Sequence, residues 1–304
     1  MKQRAARDMW WIQMSDIGFD PGKIEFPGFG TPSSLPKHEI QGERLWNLVF
    51  QRNPDFGGFL VGLFGVMGSG KTSLMHRMAR RIMKENPDEV VFWREPLESP
   101  LQARNIGDNF QILCERRYPV KIMKMTDHGV TPADNIKIRM FTGFKELLHM
   151  VEPQMINVIY FYHNWRWIDL LNKLKLWRSW QTCFFDEFED IAPGRCKGKP
   201  WLMNERFANR VKEIRKSRIS MIYTTQNQMD IDYRVKSKTM MYFYLYGARK
   251  DEHSPVFRGA IQGLEVGQGW VDYGHSLFGL INFKPILPRE PTYIVLPVRR
   301  KKEQ

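Results

Sequence analysis

At 304 residues, 42% hydrophobic and 13% aromatic, the chain has enough apolar material to bury a core, which argues against a disordered or fibrous protein. Its 46 Lys and Arg against 33 Asp and Glu leave a formal charge of +13, an excess that favours a polyanionic partner, either nucleic acid or an acidic membrane surface. Three widely spaced cysteines, Cys114, Cys183 and Cys196, with no CxxC or Cys/His cluster, argue against a disulfide framework or zinc site and fit a reducing compartment.

Along the chain, residues 1–40 are rich in Pro and Gly and read as an irregular arm, with Trp10 and Trp11 free to anchor it on its own core or on a neighbouring subunit. The N-terminus lacks the apolar region of a signal peptide, and no apolar stretch reaches the ~20 residues of a membrane span, so no direct membrane span is expected. "GERLWNLVFQ" has helical periodicity, and "GGFLVGLF" is a short apolar run suited to a strand buried on both faces. A glycine-rich loop follows, then "KTSLMHRMARRIMKEN", whose Leu74, Met78 and Ile82 share one helical side. Apolar runs at 89–93, 120–125, 156–162, 182–186 and 219–225 then alternate with helical patterns, which predicts a mainly parallel central sheet flanked by helices. One of those patterns, "NWRWIDLLNKLKLWRSW", interleaves Trp165, Trp167, Trp177 and Trp180 with basic residues. It fits either an amphipathic helix packed on the sheet, with Ile168, Leu171 and Leu174 inward, or stacking on single-stranded bases. "MMYFYLYG" and 270–283 predict further strands in a small C-terminal lobe, and "RRKKEQ" is a basic tail. The expected layout is therefore an arm over 1–40, one α/β domain over 41–250 and an extension over 251–304.

Residues 65–72, Gly65-Val66-Met67-Gly68-Ser69-Gly70-Lys71-Thr72, satisfy G-x-x-x-x-G-K-[ST] between a predicted strand and a predicted helix. Glycines let the backbone amides approach phosphate oxygens, and the helix start beyond them, with Ser73 in its first turn, favours an anion. Lys71 reaches the β- and γ-phosphates of ATP, and the Thr72 hydroxyl is a magnesium ligand. In "WQTCFFDEFED", Asp186 at a strand tip supplies a second magnesium contact, and Glu187 next to it polarises the attacking water. Thr224, Thr225 and Gln226 end the next strand, where a polar side chain can meet the γ-phosphate. The preceding helix "NERFANRVKEIRKSR" has an apolar side of Phe207, Val211 and Ile214 and carries arginines, of which Arg215 and then Arg210 are the candidate fingers, in cis or across a subunit boundary. Others on that helix are either a solvated basic face or DNA-phosphate contacts.

These three strand tips resemble the additional-strand class of P-loop ATPases. The stretch from Asp186-Glu187 through Pro193-Gly194-Arg195 to Thr225-Gln226, and Ile231-Asp232 with Arg234, resembles the FtsK/HerA superfamily. Within it the pattern is most similar to the zonula-occludens-toxin (Zot) type domain, with viral genome-packaging ATPases sharing the broader form. The likeness spans about residues 55–250. It implies an ASCE, RecA-like fold and a ring-forming, hexameric ATPase that uses ATP and Mg2+ to move DNA, with Gln226 sensing the γ-phosphate. Filamentous-phage Zot-type proteins usually carry a membrane segment after this domain, so the resemblance here favours a packaging or transfer motor in the host cytoplasm, with a capsid or membrane partner and association with the virion among its implications. Two other readings stay open: an assembly or secretion ATPase acting through a membrane partner, and a nucleotide switch or small-molecule kinase.

Overall fold

The computed structural model describes residues 38–52, 57–175, 179–194, 196–214, 216–249 and 252–298. Its first elements are β1 (His38–Glu39), α1 (Gly42–Leu48), β2 (Leu60–Phe64), α2 (Lys71–Glu85), β3 (Val90–Arg94), α3 (Gln102–Asn105) and β4 (Phe110–Glu115). There follow β5 (Val120–Thr126), β6 (Gly129–Pro132), β7 (Ile138–Phe141), α4 (Phe144–Met150), β8 (Ile156–Tyr160), α5 (Arg166–Leu174), β9 (Gln181–Phe185) and α6 (Lys199–Ile214). The last are β10 (Ile219–Thr225), α7 (Tyr233–Lys236), β11 (Met241–Leu245), α8 (Arg258–Gln262), β12 (Gln268–Tyr273), β13 (Leu277–Asn282) and β14 (Thr292–Pro297).

Strands β2, β3, β8, β9, β10 and β11 are buried along their whole length. A strand covered on both faces is predominantly apolar, which is why these segments read as mainly apolar runs, with buried polar residues such as Asn157, Gln181 and Thr182 among them. They lie together in an eleven-stranded sheet of order β1-β13-β12-β11-β2-β10-β9-β3-β8-β4-β7. From β11 to β7 every pairing is parallel, while β12 and β13 add antiparallel strands at one side. Helix faces close the layers as periodicity requires: α2 buries Leu74, Met78 and Ile82, α5 buries Ile168, Leu171 and Leu174, and α6 buries Phe207, Val211 and Ile214. Trp167, Phe185, Phe188 and Phe207 interlock edge-on beneath them.

The run at 120–125, expected in the parallel sheet, lies instead in a separate antiparallel sheet of order β14-β5-β6. Its burial alternates over its first three residues, with Val120 and Ile122 buried and Lys121 exposed on the opposite face, and a strand with an exposed lysine on one face is not covered on both. Its place in the main sheet is taken by β4, whose Ile112, Leu113 and Cys114 are buried. The strands expected in a C-terminal lobe, β11, β12 and β13, extend the main sheet instead, and a further strand not read from the sequence, β14, pairs with β5. Trp10, Trp11, Trp177, Arg195, Arg215 and the basic tail lie outside the described residues. Among the described residues no helix is long and apolar enough to cross a membrane.

Candidate nucleotide site

The phosphate loop joins β2 to α2, and its shape depends on two glycines. Gly68 and Gly70 adopt φ of +78° and +92°, a region that favours glycine, and Gly70 caps α2 while Leu74 N donates to its carbonyl at 2.9 Å. A side chain at Gly65 would meet Ser69 Oγ at 2.5 Å, so the loop closes tightly on itself. The tip, Val66 and Met67, is exposed, and Val66 N donates to Tyr246 O at 3.2 Å, tying the loop to the end of β11. Ser69 is fully buried, and its hydroxyl has no partner in the protein. Lys71 Nζ donates to Gly65 O at 2.7 Å and Val66 O at 2.9 Å, which holds the ammonium over the loop. Burial pushes the Lys71 pKa down, against the pull of Asp186, Glu189 and Glu187. Ser73, expected to face the nucleotide, exchanges hydrogen bonds with the backbone of Ile286: its Oγ donates to the carbonyl at 3.3 Å and accepts from the amide at 3.2 Å.

Strand β10 lies between the phosphate-loop strand β2 and the acidic strand β9, which is the arrangement that defines the additional-strand class. The insertion brings three tips together. Asp186, the first residue after β9, accepts from Thr72 Oγ1 at 3.1 Å on one oxygen and from Thr224 Oγ1 on the other. The same Thr224 oxygen accepts from Glu187 N at 3.1 Å. Thr224 thus spends its one proton on Asp186 and a lone pair on Glu187, setting both acidic residues at once.

Glu187 turns through left-handed backbone, φ 51° and ψ 62°, a conformation costly for a residue with a side chain. Arg94, buried at the end of β3, holds that turn. Its guanidinium donates to Asp186 O, to Glu187 O at 3.1 Å and to Asp190 Oδ2 at 2.7 Å. The Glu187 carboxyl is solvent-facing, and its pKa is pushed up by partial desolvation first and by the charges of Asp186 and Asp190 next. Arg94 is the residue sequence reasoning missed, and its signal was a lone cation closing the apolar strand "VVFWR".

Gln226 is exposed one residue past β10, and the contact to Asp186 comes from Thr224. Arg210 pairs with Glu213 at 2.7 Å on its own helix and faces the cleft between α5 and α6 with Trp165, Asp169 and Arg206. The stretches that carried the resemblance do meet: Pro193 bridges Ile231, Gly194 N donates to Asp230 O at 2.7 Å, and Asn204 links Pro193 O to Asp232. Arg234 closes that knot on Asp232 at 2.7 Å, which gives these residues a structural task.

A hydroxyl and a carboxylate 3.1 Å apart, with an unpaired buried hydroxyl nearby, suit a hard cation that keeps water and phosphate as its remaining ligands. Among the described residues no group of three or more His, Cys, Asp or Glu is placed to hold a metal ion.

No protein-family model matches the chain. No curated protein sequence matches it either. Among solved structures, the genome packaging NTPase B204 of Sulfolobus turreted icosahedral virus 2, in complex with ATP-gammaS, is similar over 78% of this chain and 100% of its own, with 14% identity and a TM-score of 0.50. The bacterial conjugative coupling protein TrwB is similar over 83% of this chain and 94% of its own, with 10% identity and a TM-score of 0.53. The N-terminal domain of zonular occludens toxin from Neisseria meningitidis aligns at a TM-score of only 0.35, too low to carry an argument. With the extra strand between loop and acidic tip, these likenesses show that the chain has the fold of a P-loop NTPase.

Proposed function

We propose that the chain is an ATP-hydrolysing motor that moves DNA, working as a ring, hexameric by the family resemblance, in genome packaging or transfer. The observation that carries this reading is the Thr72–Asp186–Thr224–Glu187 constellation, which pairs a magnesium-binding set with a separate glutamate for water. A phosphoryl transfer to an organic acceptor needs no group that activates water, whereas hydrolysis does. Thr72 and Asp186 would hold magnesium, which when bound neutralises charge on the β- and γ-phosphates. The loop amides and Lys71 cradle the phosphates, and Glu187 orients water and takes its proton. Its raised pKa brings the carboxylate nearer to neutral pH, where a base is most effective.

A net charge of +13 supports a polyanionic substrate, and both structural neighbours are described by their names as packaging or conjugation proteins. Arg210 is turned to the α5–α6 cleft, where a finger role would act toward a neighbouring subunit, while Arg215 stays the first candidate, in cis or across a subunit boundary. The test is ATP hydrolysis by the purified chain with and without DNA at low salt, with Glu187→Gln as the control. Stimulation by DNA that the substitution abolishes, and that fades as salt rises, is the expected result. Hydrolysis indifferent to DNA at every salt concentration would refute the motor reading and favour an assembly ATPase with a protein partner.

A further inference from the structure

Two and three strands away from the acidic tip of β9, the segments following β8 and β4 carry aromatic rings on the surface. Tyr118 and Tyr162 stack face to face with centroids 4.0 Å apart and planes 9° apart. His163 meets Tyr162 edge-on at 4.7 Å and lies flat against Trp165 at 5.8 Å and 19°. Tyr118, Tyr162 and Trp165 are 41%, 55% and 41% exposed, a contiguous apolar surface that folding does not explain.

The ladder is held in place from beneath. Glu115, closing β4, accepts Tyr162 N–H at 3.0 Å and pairs with Arg166 at 3.2 Å, and Arg166 lies over the Phe144 ring at 4.4 Å. Asn164, within the ladder loop, donates to Asp190 O at 2.9 Å, and Asp190 is bound by the Arg94 that holds the Glu187 turn. Arg116 and Arg117 are exposed beside Tyr118, and Arg116 has only a loose contact of 3.7 Å with Glu146.

We infer that this ladder is a stacking platform for the bases of single-stranded DNA, with Arg116 and Arg117 on the phosphates; the inference rests on the DNA-motor reading. Flat exposed rings beside exposed cations match a strand whose bases are open on both faces and whose backbone is anionic. A duplex hides those faces in its own stack. The loop's bond to Asp190 places the platform against the segment that follows the water-activating glutamate.

The experiment measures binding of the full chain to a fluorescent oligothymidylate of about 20 nucleotides and to a duplex of equal length by anisotropy, across a salt series. Tyr118→Ala with Tyr162→Ala is expected to weaken oligothymidylate binding about tenfold or more, while Phe at both positions retains it, because the ring faces and not the hydroxyls do the stacking. Stacking releases no counterions, so the wild-type to variant ratio stays constant with salt, whereas Arg116→Ala flattens the salt dependence itself. Undiminished binding by the alanine pair overturns the platform and leaves the motor reading intact, as does an equal loss for duplex and single strand. A change of oligomeric state in the alanine pair, read by light scattering, makes the ladder a subunit seam and also overturns it. Absence of any DNA binding by the wild type at low salt removes platform and DNA motor together.

Discussion

Replacing Glu95 by Gln tests the electrostatics of the site's floor. Glu95 follows β3 immediately, is 3% exposed, and has its carboxyl pushed up to about 8, by burial first and by the charge of Asp186 second. One of its oxygens accepts from Gln102 N at 3.0 Å and the other from Tyr160 Oη at 3.3 Å, contacts that a Gln amide reproduces with its oxygen toward Gln102. In the nucleotide-free protein the folded state therefore binds this proton more tightly than the unfolded chain, where the value is the ordinary 4.5. The contribution is fully present below about pH 4.5 and is lost as pH rises through about 8. Between about pH 5 and pH 9 the loss amounts to roughly 4 kcal/mol at 1.36 kcal/mol per unit. At about 2 °C per kcal/mol for a chain of this size, wild-type Tm is expected to fall roughly 8 °C further than that of Glu95→Gln over this range. Thermal unfolding by circular dichroism in matched buffers gives the comparison. Parallel Tm–pH curves for the two proteins would refute the buried neutral carboxyl.

Thr224→Val keeps the shape of the β10 tip but removes the hydroxyl that sets Asp186 and Glu187; kcat for ATP is expected to fall about 10- to 100-fold, with Thr224→Ser restoring most of it. Arg94→Met takes three charge-assisted bonds from the Glu187 turn and is expected to cost roughly 2–3 kcal/mol in urea unfolding. Hydrolysis by that variant should drop more than nucleotide binding, since the phosphate loop is untouched, and equal losses in both would show that Arg94 serves the fold alone. Gly70→Ala forces a side chain into φ +92° with the Phe283 ring 3.1 Å from the new carbon; loss of about 1–2 kcal/mol of stability and of ATP affinity, measured by calorimetry, is the expected outcome.

Where a segment's chemistry is local, the sequence was enough. The loop from Gly65 to Thr72 dictates its own turn through glycines at positive φ, and the strands buried on both faces announce themselves as mainly apolar runs. The pairing of Asp186 with Thr72 followed from the strand tips alone. What lay beyond reach were choices made by contacts distant in sequence. β4, "FQILCE", carries the polar Gln111 and Glu115 and reads weakly, yet it enters the main sheet, while the apolar-looking β5, with Lys121 exposed opposite the buried Val120 and Ile122, pairs with β14 instead. Thr224 and Gln226 are both plausible at a strand tip by composition; the register of β10 between β2 and β9 is what directs Thr224 to Asp186 and leaves Gln226 exposed. Arg94 sits 92 residues from the Asp186 carbonyl it holds, and Tyr118 is far in sequence from Tyr162. Local propensity fixes elements and phosphate loops because they are made by neighbours along the chain. Sheet order and the polar bonds across strand tips are settled only when burial forces each strand to find the partner whose faces and hydrogen bonds it can satisfy.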